Sequence, residues 1–175
     1  MEAPTVWLFV WQFAAFMLID DVYFYFFHRY NHENKWLYKK IHRIHHKAFN
    51  PIPLEYLYVH PLEWMGGTVG IAATAALIGF TMGEINCWPF WTFALVRNLH
   101  ELEIHSGLKS IFSQYIPYNG TTEHHDLHHA KLRGNYASTF SFWDKLFKTD
   151  LHMVDGKCRT KAQLDEMETQ EKAAA

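Results

Sequence analysis

Cysteine is nearly absent from this chain. Its 175 residues contain only Cys87 and Cys158, far apart and with no C-x-x-C neighbour. Neither a disulfide framework nor a thiolate metal site is expected. Neither sign of charge dominates. Sixteen Lys and Arg stand against 18 Asp and Glu, a net charge of -2 with histidine neutral. Such a balance leaves no electrostatic footprint for nucleic acid. The first apolar segment has no basic stretch before it and no small-residue cleavage site, so it does not read as a secretory signal.

Histidine is what the chain has in excess, 13 residues, beside an aromatic fraction of 17%. His28 and His32 read H-x-x-x-H. His42, His45 and His46 read H-x-x-H-H, and His125, His128 and His129 repeat that pattern. His60 and His105 stand between them. Neutral imidazole is the commonest nitrogen ligand of iron, copper and zinc, and core packing asks for no such number of imidazoles. With thiolate scarce, a metal here must take nitrogen and oxygen ligands. On a helix, residues at i+3 and i+4 diverge by about 100°, so each H-x-x-H-H can serve two metals at once. One zinc needs three or four ligands. The clustered histidines overshoot that twofold, and a pair of irons with open positions for dioxygen uses them better. His100 and His124 read equally as ligands or as supports. His152 stands alone in a polar stretch and reads as an ordinary histidine.

Mean hydropathy is only -0.19, yet the apolar residues are segregated. Residues 6–19 (VWLFVWQFAAFMLI) carry no charge, and residues 64–83 are long enough to cross a hydrocarbon core of about 30 Å. A third apolar segment, 85–96, closes at Arg97, and Glu84, Asn86 and Pro89 mark a tight reversal before it. The expected fold is all-α: a membrane-embedded helical bundle with a histidine-rich di-metal site at its cytosolic edge. One helix is expected over 5–32, with Asp21, His28 and His32 on one face. A basic amphipathic helix is expected over 34–47. It would carry His42, His45 and His46 on one face and Lys35, Lys39, Lys40, Arg43 and Lys47 on another, and be broken by Pro51 and Pro53. A further helix is expected over 123–131, and the segment 134–150 should pack beneath the site. Asp20, Asp21, Glu101, Glu103, Glu123 and Asp126 are candidates to accept ring N–H groups and fix tautomers, Asp21 being best placed. Trp7, Phe13, Phe16, Trp64, Trp88, Trp91 and Phe93 read as cavity lining, core or lipid-facing anchors.

The order of these motifs (Asp21, His28-Arg29, His32, then KKIHRIHH, LEYLYVHPLE, EIHSG, EHHDLHH and GNYASTFSFWDKLFKTD) resembles the fatty acid hydroxylase and sterol desaturase superfamily over residues 5–150. HPLE, HSG, HHD-x-HH and GNYASTF-x-x-WD are most similar to its 4-methylsterol monooxygenase branch. Position 100 is His where that branch more often has an acidic residue. The resemblance implies a non-haem di-iron oxygenase domain over 1–152, without the membrane helices that usually precede it in the family, and a polar tail over 153–175. It implies two iron ions held by His28, His32, His42, His45, His46, His60, His105, His125, His128 and His129. It further implies dioxygen as co-substrate, with electrons from NAD(P)H through a b-type cytochrome or reductase. The expected substrate is a lipid, foremost a sterol oxidised at its C-4 methyl group, and the expected location is the endoplasmic reticulum membrane. Other readings are a fatty acyl or sphingolipid hydroxylase, a sterol C-5 desaturase, and a non-catalytic histidine-rich metal binder.

Overall fold

Thr5 opens the first helix by accepting the Leu8 N–H on its hydroxyl at 3.2 Å, the usual way to satisfy a free N-terminal donor. Helix α1 then runs Val6–Glu33. At 1.5 Å per residue it is about 42 Å long, more than a hydrocarbon core needs. Its last turns, bearing His28 and His32, therefore extend past the apolar zone. The structure is a computed structural model that describes residues 2–47, 52–154 and 157–174. Pro51, one of the two expected helix breakers, lies outside the described residues.

Asn34 ends α1 and caps the next helix, its side chain accepting the N–H groups of Trp36 and Leu37 at 3.0 and 3.1 Å. Here the structure departs from expectation. The 34–47 segment is not one helix: α2 covers only Lys35–Lys40, Ile41 leaves helical geometry at φ -121, and His42–Lys47 continues as a 3-10 helix. Tertiary contacts of the imidazoles override the helical spacing. Lys39, Lys40, Arg43 and Lys47 are exposed, as the expected charged face requires.

A 3-10 turn at Pro53–Leu57 leads to α3, Pro61–Gly67, and α4, Val69–Met82. Gly83 closes α4 in left-handed conformation at φ 77. Asn86 starts α5, Cys87–Ile104. The reversal between α4 and α5 is tied to α1 by the buried Gln12, which accepts the Asn86 N–H at 3.0 Å and donates to the Glu84 carbonyl at 3.3 Å. Phe16, Ile78 and Phe93 form the core where α1, α4 and α5 meet, the Phe16 and Phe93 rings stacked at 5.3 Å. Gly70 allows the close approach of α4 to α1: a Cβ there would lie 2.6 Å from Asp20 Oδ1 and 3.2 Å from Asp20 Cα.

The outer surface of these helices is apolar. Phe80 is 93% exposed and Trp7 76%. Val6–Glu33 and Pro61–Met82 are long and apolar enough to span a membrane, and only 22% and 17% of their apolar windows are buried. Buried core helices of a soluble protein would hide most of that surface, so lipid is the environment that accounts for it. Trp64, Trp88 and Trp91 are exposed with Trp7, whereas Phe16 and Phe93 belong to the core.

Beyond α5 come α6, Thr122–Lys131, and the short α7, Phe142–Leu146. A hairpin of β1, Leu151–Val154, and β2, Lys157–Thr160, precedes α8, Lys161–Ala174. Among the described residues the architecture is all-α apart from this hairpin and an isolated bridge between Asn119 and Phe140. The hairpin straddles the expected boundary at 152/153, and Arg133 donates to the Cys158 carbonyl at 2.8 Å, joining the hairpin to the region after α6.

Gly70→Val should wedge α4 away from α1 and lower the unfolding temperature of the detergent-solubilised chain. Gly79→Ala, whose Cβ would meet nothing closer than 3.9 Å, should leave it unchanged or raise it, alanine being the better helix former by about 1 kcal/mol. Thermal unfolding followed by circular dichroism makes the comparison.

Candidate metal centre

The histidines converge from four regions of the chain into two adjoining groups. His28, His32, His42, His46 and His128 form one, and His45, His105, His125 and His129 the other. Within each group one ligand atom per residue lies within 4.8 Å of all the rest. The pairs four residues apart stay together: His28 with His32, His42 with His46, His125 with His129. The odd member of each H-x-x-H-H crosses over. His45 leaves the company of His46, and His128 leaves that of His129. The divergence expected from helical geometry is therefore realised, although the first of the two motifs sits on a 3-10 segment. The groups touch through His46 and His129, with ring centroids 4.5 Å apart, and through His45 and His46 at 5.3 Å.

Ring orientation is set from behind. His28 Nδ1 donates to the Tyr136 carbonyl at 2.7 Å, His32 Nδ1 to the Leu132 carbonyl at 3.1 Å and His128 Nδ1 to the Gly134 carbonyl at 2.7 Å. His105 Nδ1 donates to the Glu101 carbonyl at 2.8 Å. A carbonyl only accepts, so each of these rings carries its proton on Nδ1 and turns the Nε2 lone pair inward. His42 Nδ1 faces Glu63 Oε1 at 2.5 Å, and the ionised carboxylate there favours the same tautomer.

The inward atoms crowd together. His32 and His42 Nε2 are 2.7 Å apart, and His46 Nε2 lies 3.0 Å from each. In the second group His105 and His125 Nε2 are 2.9 Å apart and His125 and His129 Nε2 3.1 Å. Lone pairs this close repel unless a cation sits between them. His128 Nε2 is buried without a protein partner. Imidazole nitrogens about 2.1 Å from one ion and at right angles would be about 3.0 Å apart, so the residues present fit two metal ions. A proton is a poor substitute. Burial lowers the pKa of His42, His45, His105, His125 and His128, and neighbouring histidines push all of these down further.

His60 is not brought to either group. It caps α3, its Nδ1 accepting the Leu62 N–H at 3.1 Å, because the following Pro61 has no N–H and leaves Leu62 as an early free donor. His100 and His124 are also outside both groups. His100 bridges the Ser138 carbonyl at 3.1 Å and Ser113 Oγ at 3.2 Å, and His124 lies 3.3 Å from Asp144. His152 pairs with Asp150 at 2.6 Å.

The supporting carboxylates differ from those expected. Asp21 reaches no histidine. It accepts the Thr139 and Phe140 N–H groups at 3.1 and 3.3 Å and Trp143 Nε1 at 2.7 Å. Lying two turns before His28, it meets the 139–143 segment rather than the rings. Asp144 accepts the Tyr136 and Ala137 N–H groups at 2.8 and 2.9 Å and the Thr149 hydroxyl at 2.7 Å. Glu101 accepts the Ser138 hydroxyl at 2.6 Å and lies 3.7 Å from His105 Nδ1. These three buried acids strap residues 136–144 beneath the centre, as expected for that segment. Asp20 pairs instead with Arg97 at 2.8 Å, and Glu103 holds the N–H groups of residues 111–113. Neither Glu123 nor Asp126 bonds a ring among the described residues. Glu63 and Tyr136 stand beside the rings as well. Glu63 was signalled by a carboxylate opening an apolar span, a costly placement without a partner. The Tyr136 ring lies 5.4 Å from that of His32, and no local pattern announces it.

A cavity flanks both groups. His28, His42, His45, His105 and His125 line one side of it, Phe24, Phe27, Tyr56 and Trp64 another, and Arg97, Glu63 and Glu101 are its ionisable groups besides the histidines and Tyr56.

Two outcomes are expected. Glu63→Gln should weaken metal binding about 10- to 100-fold, read by competition with a chelator of known affinity. The metal-free chain should lose stability as pH falls from about 6.5. The buried rings stay neutral when folded, while unfolded rings take up protons at the ordinary value of 6.5. Each adds a slope of about 1.4 kcal/mol per pH unit below that value, whereas above 6.5 these rings are neutral in both states and add none. Denaturant midpoints between pH 5 and 8 test this.

The family profile of the fatty acid hydroxylases matches residues 13–149. Methylsterol monooxygenase erg25B of Aspergillus fumigatus is 33% identical over 168 residues, 91% of this chain and 56% of its own length. Methylsterol monooxygenase 1 of Rattus norvegicus is 38% identical over 136 residues, covering 77% and 44% respectively. Very-long-chain aldehyde decarbonylase GL1-11 of Oryza sativa is 34% identical over 155 residues, covering 86% and 56%. The chain thus spans about half the length of the curated relatives it matches. No solved structure matches it. The profile match takes in every ring of both histidine groups and the acids that support them, and the chain belongs to the fatty acid hydroxylase family.

Proposed function

We propose that the chain is the metal-binding part of a membrane-bound lipid monooxygenase holding two iron ions. The observation that carries this reading is the pair of imidazole groups, five and four residues strong, against one cavity. His28, His32, His42, His46 and His128 would hold one iron, and His45, His105, His125 and His129 the other. Iron suits all-imidazole sites. Bound there, it would supply the dioxygen chemistry that no acid or base side chain can perform on an unactivated C–H bond.

The chain's own residues position and exclude. Carbonyls of 132–136 hold ring N–H groups outward so that Nε2 atoms face in. Phe24, Phe27 and Trp64 give the cavity an apolar wall suited to a lipid and hostile to water. The sterol reading, oxidation of a C-4 methyl group, is supported by likeness to two proteins named methylsterol monooxygenases. A long-chain lipid is the second reading, since a relative named for very-long-chain aldehydes is as similar, at 34% identity. Electrons would come from NAD(P)H through a b-type cytochrome or reductase. The exposed Lys39, Lys40, Arg43 and Lys47 offer an acidic donor a surface beside the histidines. The compartment proposed is the endoplasmic reticulum membrane.

Metal analysis should give two irons per purified chain, and His45→Ala or His128→Ala should lower that to one or none and abolish turnover. Incubation with methylsterols, ceramides and fatty acids under dioxygen and reductant, with products read by mass spectrometry, should show an oxygenated sterol first. One zinc per chain, or full turnover in either variant, would sink the reading.

A further inference from the structure

Arg97 is a guanidinium placed among apolar helices, where charge is costly and marks function unless it is fully paired. It is only partly paired. Nε donates to Asp20 Oδ2 at 2.8 Å, and its side chain is 20% exposed. Its terminal nitrogens donate to no protein atom among the described residues. The guanidinium lies over the Phe24 ring at 5.4 Å, and both residues line the cavity that the histidines share. Two neighbouring polar groups of that wall are already engaged. Asn98 receives the Tyr56 hydroxyl at 3.0 Å and donates to the Ala94 carbonyl at 2.7 Å, and Glu101 holds Ser138. Arg97 therefore brings to this cavity permanently charged N–H donors that no protein atom among the described residues takes up.

We propose that Arg97 is the polar anchor of the cavity, its terminal nitrogens donating to a neutral hydroxyl or carbonyl oxygen carried by the bound lipid. A guanidinium only donates, so its ligand must accept. Asp20 and Glu101 already offset its charge, which favours a neutral oxygen over a carboxylate. A plain hydrocarbon would leave the donors unpaired, and sites built to bond a substrate oxygen reject analogues that lack it far more strongly than they reject a missing methylene. The anchor would fix which carbon along the lipid faces the histidines. This rests on the lipid-oxygenase reading, of which it names the substrate feature.

The test is equilibrium binding to the full purified chain in detergent, followed by tryptophan fluorescence, since Trp64 lines the cavity. The probes are cholesterol against cholestane, octadecan-1-ol against octadecane, and octadecanoate. In at least one series the alcohol should bind about tenfold tighter than its hydrocarbon or more. The paired variant Asp20→Asn with Arg97→Gln removes the guanidinium together with the carboxylate bonded to it, and should close that gap with its circular dichroism unchanged. Arg97→Lys keeps the ion pair with fewer donors and should narrow it. No gap in either series of the unaltered chain overturns the proposal, whether or not the variants fold. So does a gap that survives in the folded paired variant, and so does octadecanoate binding tighter than octadecan-1-ol. The measurement needs no dioxygen or reductant. A chain that oxygenates nothing yet shows the gap would fail the enzymatic reading and keep the anchor; one that turns over sterol without the gap would do the reverse.

Discussion

The centre depends on where four ring protons sit. His28, His32, His105 and His128 each give the Nδ1 proton to a backbone carbonyl, and that leaves Nε2 as the only atom with a lone pair to turn toward its neighbours. Reverse any one tautomer and an N–H would point into the cluster, where there is no acceptor for it except another imidazole. Backbone carbonyls are better suited to this than side chains, since they cannot rotate away or titrate. The arrangement converts the fold of a short loop into the electronic state of a candidate metal pocket.

The loop must be held firmly for this to work, and the structure does so with buried acids. Asp144 takes two consecutive N–H groups at Tyr136 and Ala137, immediately after the carbonyl of Gly134 has received His128. Gly134 itself adopts φ 65, and a Cβ there would lie 2.5 Å from the Thr149 carbonyl, so the close approach needs glycine. Asp21 reaches across from α1 to hold Thr139, Phe140 and Trp143. Each carboxylate is worth keeping buried only because it accepts several hydrogen bonds at once. Loss of one would leave unpaired N–H groups as well as a slack loop.

The membrane sets the location of all this. Residues 6–20 of α1 present apolar surface outward, and its final turns carry His28 and His32 beyond that zone. Helices α3 to α5 return the chain to the same level, where Glu63 meets His42 at one helix start and His105 caps the other helix end. A single polar layer thus forms at the edge of an apolar bundle, with Gln12 tying the far reversal and Phe16, Ile78 and Phe93 filling the space between.

Much of this was legible in the residues alone. Histidine spacing announced that each H-x-x-H-H could divide between two groups, since angular divergence on a helix is a local property; that His45 and His128 are the members that cross is seen only in the fold. Apolar segments announced the helices, because a chain must bury or lipid-solvate such surface wherever it lies. Local pattern had no means of deciding which polar groups meet across more than one hundred residues. Helical spacing sets Asp21 on the face of the rings, yet it holds the 139–143 segment; Glu63, distant in sequence, bonds one; motif order makes His60 a ligand, yet it caps a helix. The 35–47 stretch has the periodicity of one helix, yet Ile41 breaks it so that the rings of His42 and His45 can reach separate groups. Composition and spacing determined that imidazoles would gather at the edge of a membrane bundle. Only tertiary structure decided which ones, in which tautomer and against which carbonyl, because those choices are made by partners that sequence distance conceals.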